Sequence, residues 1–173
     1  MRQALVKPKL PFSRNLLTSC DFEEMYLGLD NIDNNNEIME NFNLQQVENE
    51  EMMNTWCEVL CKGYEVSEEH REYVKKQLLA LYDNDSYRLF IGYENDKAVS
   101  SSALHKIHKR VDGLYMVTTI PSCRNKHAGY STVMETLKSA KGNKSDLIIL
   151  QASKEQMEFF KKLGFVTTFD KEI

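Results

Sequence analysis

The sequence predicts an α+β fold: one mixed sheet, antiparallel over most of its width, with a single parallel crossover and helices on its faces. Three observations lead there. Tyr87–Tyr93, Ala98–Leu104 and Leu114–Ile120 are strand-like runs joined by short turn-forming segments, which is the pattern of an antiparallel meander. After Pro121 the apolar spacing becomes helical, through Tyr130, Val133, Met134, Leu137 and Ala140. Leu147–Leu150 is then a buried-type strand, so strand, helix and strand should form a right-handed parallel unit.

The elements follow in order from the N-terminus. Residues 1–20 hold two of the three prolines and show little periodicity. Glu24–Leu29 has strand character, and Asn31–Asn43, rich in Asn and Asp, reads as a linker. Residues 1–43 therefore read as an N-terminal extension with one strand at 24–29, and residues 44–173 as the domain proper. Leu44–Val47 is a short strand. Glu48–Cys61 places Met52, Trp56, Val59 and Leu60 on one helical face, and Gly63 is placed to end that helix. Ser67 is the expected N-cap of a helix reaching Tyr82, with Glu68 and Glu69 in its first turn. Asp83–Ser86, Glu94–Lys97 and Asp112-Gly113 are expected turns. Glu155–Leu163 is a short helix stopped by Gly164, and Phe165–Phe169 is a last strand.

A chain of 173 residues suits one domain with a real core. Its 42% hydrophobic and 28% charged residues fit a soluble globular protein. A net charge of −4 argues against general nucleic-acid binding, because Lys106–Arg110 is the one dense basic run and reads as a solvated strand end. No apolar run has the roughly 20 residues that span a bilayer, and no signal-peptide pattern opens the sequence. Cys20, Cys57, Cys61 and Cys123 form neither a CxxC pair nor a zinc spacing, so no metal is expected. Reduced cysteines and a cytoplasmic location are the expectation.

The stretch Leu114–Val133 (LYMVTTIPSCRNKHAGYSTV) carries the chemistry. A strand ends, a polar turn follows, and a helix begins near Ala128. The first helical N–H groups have no intrahelical partners and carry the positive end of the helix dipole. Arg124 and Lys126 add charge, and Ala128 and Gly129 permit close backbone approach, so a pyrophosphate suits the loop. An ordinary strand–turn–helix junction with surface basic residues fits the same letters.

This stretch resembles the acetyl-coenzyme A signature of the GNAT acetyltransferases, R/Q-x-x-G-x-G/A, preceded by a strand of the form V-x-T-x-P. Arg124, Ala128 and Gly129 match the loop, and Val117, Thr119 and Pro121 match the strand. The runs Leu150-Gln-Ala-Ser153 and Phe160-Lys-Lys-Leu-Gly-Phe165 resemble the family's C-terminal motifs. The similarity covers roughly Leu44 to Phe169. It implies an N-acetyltransferase that uses acetyl-CoA and an amine acceptor. By position, Val117, Thr118 and Thr119 would pair with the pantetheine and acetyl carbonyl. Arg124, Asn125, Lys126, His127, Ala128, Gly129 and Tyr130 would form the pyrophosphate loop. Ser153 and Phe160 would flank the pantetheine and thiol. The family also adds a strand after the last one seen here. Glu24–Leu29 has the character to fill that place, from the same chain or from the neighbour in a homodimer. Residues 1–43 also resemble a remnant of the first half that precedes the second in some relatives.

Two residues depart from the family pattern. His127 replaces a loop glycine, at a cost of about 1–2 kcal/mol if the position needs positive φ. Phe160 replaces a tyrosine whose hydroxyl would protonate the departing thiolate. The catalytic base is not identified. His105, His108 and the carboxylates near the N-terminal helices are the options, with Tyr115 and Tyr130 as substitute acids. The alternatives to an enzyme are a degenerate module that binds acyl-CoA or a protein partner without turnover, and an interaction domain with no cofactor.

Overall fold

A computed structural model describes residues 22–32, 38–82 and 85–168. Cys20 and the segments 1–21, 33–37, 83–84 and 169–173 lie outside the described residues. The strands are β1 (Phe22–Gly28), β2 (Phe42–Gln46), β3 (Tyr87–Glu94), β4 (Lys97–His108), β5 (Val111–Thr119), β6 (Leu147–Ser153) and β7 (Val166–Thr167). The helices are α1 (Glu50–Gly63), α2 (Glu68–Tyr82), α3 (Ala128–Gly142) and α4 (Lys154–Lys162). One seven-stranded sheet has the order β2-β3-β4-β5-β6-β1-β7, with β5 and β6 the parallel pair. This is the α+β mixed sheet expected from the sequence.

Helices lie on both faces. α1 packs on β3, β4 and β5, with α2 against it, while α3 packs across β2 to β5 and α4 on β6 and β1. Among the described residues three apolar clusters result, two of them on opposite faces of the sheet. Between the sheet and α3/α4 lie Met25, Leu27, Phe90, Leu104, Leu137, Ile148, Phe160 and Phe165, among others. Between the sheet and α1/α2 lie Trp56, Leu60, Leu78, Ile91 and Met116. Trp56 is fully buried, and its indole N–H donates to the Ser102 carbonyl at 3.2 Å, which removes the penalty of an unpaired donor. Small hydroxyls seat α3 on β4. Ser100 Oγ meets Thr132 Oγ1 at 2.5 Å, and Ser102 Oγ meets Thr136 Oγ1 at 2.7 Å.

β1 runs between β6 and β7, antiparallel to both. The strand expected near 24–29 is thus present at Phe22–Gly28 and is supplied by the same chain. The sheet takes strands from both sides of the 43/44 boundary.

Several local expectations are corrected. The turn after β4 is at Lys109–Arg110, and Asp112-Gly113 lies inside β5. Asp112 tolerates full burial because its Oδ2 accepts from Arg88 Nη2 at 2.7 Å and Ser145 Oγ at 2.6 Å. Gly113 is there for space, since a Cβ would lie 2.4 Å from the Tyr115 ring. Gly63 ends α1, but the left-handed residue is Glu65 at φ 53°. Gly63 is required instead by Thr118, whose Oγ1 would sit 2.2 Å from an added Cβ. Ser67 precedes α2, but its hydroxyl meets His70 Nδ1 at 2.7 Å. Asn49 caps α1, accepting from the Met52 N–H at 2.9 Å. The Glu94–Lys97 hairpin turn is as expected, with Asn95 and Asp96 both at positive φ.

Candidate functional site

The site begins with a defect in β5. Ala103 pairs with Tyr115 and Ser101 with Thr118, so β5 carries one extra residue opposite β4. The bulge falls at Met116, whose φ is 52°. Ser101, fully buried, donates its hydroxyl to the Met116 carbonyl at 3.0 Å and fixes the bulge. A bulge bends and twists its strand. Here β5 leaves β6: their pairing stops at Gly113↔Ile149, although β5 continues to Thr119 and β6 to Ser153. β6 pairs on its other side with β1 over seven residues, from Phe22↔Ser153 to Gly28↔Leu147. The result is a wedge-shaped split that opens toward the C-terminal ends of two parallel strands. Backbone groups of β5 beyond Gly113 face it without a strand partner.

The loop before α3 closes the wide end. Pro121–Cys123 form a short 3-10 turn, and residues 124–127 lead directly into α3. Asn125 and His127 are both left-handed, at φ 60° and 63°. Among the described residues, no carbonyl or side chain accepts from the N–H groups of Asn125, Lys126, His127, Ala128, Gly129 or Tyr130. Left-handed residues alternating with residues of negative φ are the backbone pattern of an anion-binding nest. The α3 dipole adds to it. An ideal Cβ at Gly129 would lie 3.1 Å from Thr119 Oγ1 and 3.9 Å from the Phe159 ring. The end of β5, the first turn of α3 and α4 therefore meet in one throat.

Arg124 is placed differently from its sequence reading as a phosphate-side charge. Its Nη2 donates to the Gly63 carbonyl at 2.6 Å, its Nε to the Thr119 carbonyl at 3.3 Å, and its Nη1 meets Glu65 Oε2 at 3.2 Å. It ties the α1–α2 corner to the end of β5. A hollow of about 460 Å³ lies beside this tie, between Lys62, Glu65 and Val66 on one side and Ile120 to Ser122 on the other.

The remaining expected residues sort by face. Val117 and Thr119 point toward α3, and Thr118 toward Gly63 of α1. Lys126 and His127 are exposed, and the His127 ring lies edge-on to Tyr130 at 6.4 Å. Ser153 caps α4, with its N–H and hydroxyl 3.2 and 3.3 Å from Gln156 Oε1. Phe160 is buried, 5.1 Å from Phe159 and 5.6 Å from Phe165. His105 stacks on Tyr87 at 4.3 Å, five residues along β4 from Ser100, the partner of Thr119. That separation is about 17 Å along the strand, and His108 is farther still. Neither histidine reaches the wide end of the split.

No family model matches the sequence, and no curated protein does. Solved structures match it across most of its described length. One is a GCN5-related N-acetyltransferase from Kribbella flavida, with a TM-score of 0.64 at 13% identity over 84% of this chain and 53% of that one. Another is an acetyltransferase from Streptococcus agalactiae, with a TM-score of 0.57 at 20% identity over 78% of this chain and 89% of that one. A third is a tandem GNAT protein from the clavulanic acid biosynthesis pathway, at 0.64 and 12%, covering 86% of this chain and 50% of that one. The chain has the GNAT fold. It spans about half the length of several GNAT-fold structures that it matches. At 10–20% identity the likeness is one of backbone. The signals that sequence reading missed are the bulge at Met116, which no residue type marks, and Phe159, which stands at the throat beside the motif residue Phe160.

Proposed function

We propose that the chain is an N-acetyltransferase that moves an acetyl group from acetyl-CoA to the primary amine of a small molecule or peptide. The observation that carries this reading is the joining of two features: a split between parallel strands and, at its wide end, a loop with two left-handed residues leading into the N-terminus of α3. The split suits an extended amide-bearing arm, which would pair with the edge of β5 at Val117 and Thr119. The concavity at Asn125 to Tyr130 suits the pyrophosphate to which that arm is attached. Lys126 and His127 stand beside it as added charge. The amine attacks the thioester carbonyl directly, with a β5 N–H near Thr119 polarising the carbonyl oxygen.

A second reading is a module that binds acyl-CoA without turnover, and Phe160 favours it. The ring has no hydroxyl and is packed into the core, so it supplies no proton to a leaving thiolate. With an ordinary thiol pKa near 8.5 the thiolate is a fair leaving group unaided, which keeps the enzyme reading ahead.

Calorimetric titration with acetyl-CoA tests both readings, and saturable one-to-one binding is expected. No heat at millimolar ligand would exclude both. Release of CoA with a panel of amines then separates them, since turnover with any amine supports the enzyme.

A further inference from the structure

We propose that the acceptor is a free amino acid, a primary amine joined by a short chain to a carboxylate, and that Arg71 holds the carboxylate in the hollow at the α1–α2 corner. The proposal rests on the acetyl-CoA reading above and names the class of the other substrate.

Three charged residues of the corner line this hollow, Lys62, Glu65 and Arg71. Their charges are in different states. Glu65 Oε2 is 3.2 Å from Arg124 Nη1, so its charge is matched. Lys62 Nζ is 3.6 Å from Glu58 Oε2 in an exposed pair, which is worth little in water. Arg71 is half-buried and donates through Nε to the Val66 carbonyl at 3.1 Å. Among the described residues no carboxylate pairs with it, and its two Nη groups meet no acceptor. The Val66 bond orients the guanidinium and leaves the Nη pair, a planar fork that matches a carboxylate. Arg71 also borders a smaller hollow over Cys57 and Cys61, but Glu58 and Glu72 line that one and disfavour an anion there.

The opposite wall of the larger hollow begins at Ile120, the residue after Thr119. The Ile120 N–H donates to the Val99 carbonyl, toward β4. Peptide groups alternate along an antiparallel strand, so the N–H and carbonyl of Thr119 face the split. The Thr119 carbonyl accepts from Arg124 Nε at 3.3 Å. One guanidinium therefore joins Thr119 to Glu65, and the Glu65 carboxylate lies within about 9 Å of the Thr119 carbonyl. The wall of the hollow and the N–H that would polarise the thioester belong to adjacent residues.

A ligand anchored on Arg71 has Val66, Ile120 and Pro121 along its body and Thr119 at its far end. A hollow of about 460 Å³ suits a small molecule of this kind. The carboxylate takes no part in the chemistry and sets where the amine stands. The neutral amine forms the N–C bond at the thioester carbonyl. The C–S bond breaks with its electron pair on sulfur, and an amine proton passes to that thiolate. The products are the N-acetyl amino acid and CoA.

The test uses the full chain with glycine, 4-aminobutanoate and 6-aminohexanoate, each against its amide. Acetyl-CoA binding is measured first, and its failure overturns the underlying reading, while the amino acids are still titrated against the free protein to read the Arg71 site. With CoA-bound protein, at least one of the three amino acids should bind in an NMR titration at least tenfold more tightly than its amide. With acetyl-CoA the same preference should appear in kcat/KM. Arg71→Gln should collapse that preference to about one, a ratio that general destabilisation would not move, and Arg71→Lys should restore only part of it. Acetyl-CoA affinity should stay within about twofold in both variants. Equal binding of acids and amides, or a preference indifferent to Arg71→Gln, would overturn the proposal. So would an Arg71→Gln variant that binds acetyl-CoA more weakly but its 3′-dephospho form normally, since the fork would then serve the cofactor's phosphate.

Discussion

His127 holds a left-handed backbone at φ 63° with no side-chain bond to the helix it precedes. A histidine there carries about 1 kcal/mol of strain that glycine would not. His127→Gly should therefore raise unfolding stability by roughly 0.5–1 kcal/mol in urea titration, despite glycine's greater unfolded-state entropy. The cost of this residue was legible from the motif. The left-handed Asn125 two residues earlier was not, because asparagine occupies turns of many kinds. At Arg124 the letter matched the motif while the guanidinium went elsewhere, to the carbonyls of Gly63 and Thr119. Arg124→Ala should cost about 1–3 kcal/mol, and Arg124→Lys should not restore it, because one ammonium cannot reach three acceptors in different directions. Cys57 gives a third residue-scale test. Burial, reinforced by Cys61 against an opposing Lys75, pushes its thiol up to about 11. Cys57 should resist iodoacetamide at pH 8 in the folded protein and react once unfolded. The unfolded chain loses this proton near 9.0 and the folded chain keeps it to about 11, so this contribution to stability is lost as pH rises across that window.

At the scale of elements, β5 is anchored at one end and released at the other. The anchor is Asp112, fully buried, hydrogen-bonded to Arg88 and Ser145, with Lys106 Nζ 3.4 Å from its other oxygen but not aligned as a hydrogen bond. It clamps β3, β4, β5 and the start of β6 at the narrow end of the split. Removing its partner would leave a buried charge. Arg88→Met should destabilise the fold by about 3–5 kcal/mol, read from chemical denaturation, whereas a change at exposed Lys109 should be near neutral. The strands and α3 were legible because their apolar spacing repeats over many residues. The anchor was not. An Asp-Gly pair has the chemistry of a turn, and only partners 24 and 33 residues away in sequence keep it inside a strand. The bulge at Met116 is hidden for a similar reason, since its support is a serine on the neighbouring strand.

For the whole molecule, the meander, the crossover and the order of elements could be read from the sequence, as could the loop at 124–129 through its likeness to a known signature. The strand read near 24–29 proves to be a full member of the sheet. Deleting residues 1–32 should abolish cooperative unfolding, since it exposes Ile148, Leu150 and Ala152, and circular dichroism melts would show it. β1 also has a consequence in time. During synthesis Phe22 emerges about 130 residues before Ser153, the residue it pairs with. Met25 and Leu27 must wait without a partner while the meander forms. β1 is made before the meander yet placed after it, so nascent chains should meet their greatest risk of aggregation late, in the interval before β6 is released from the ribosome.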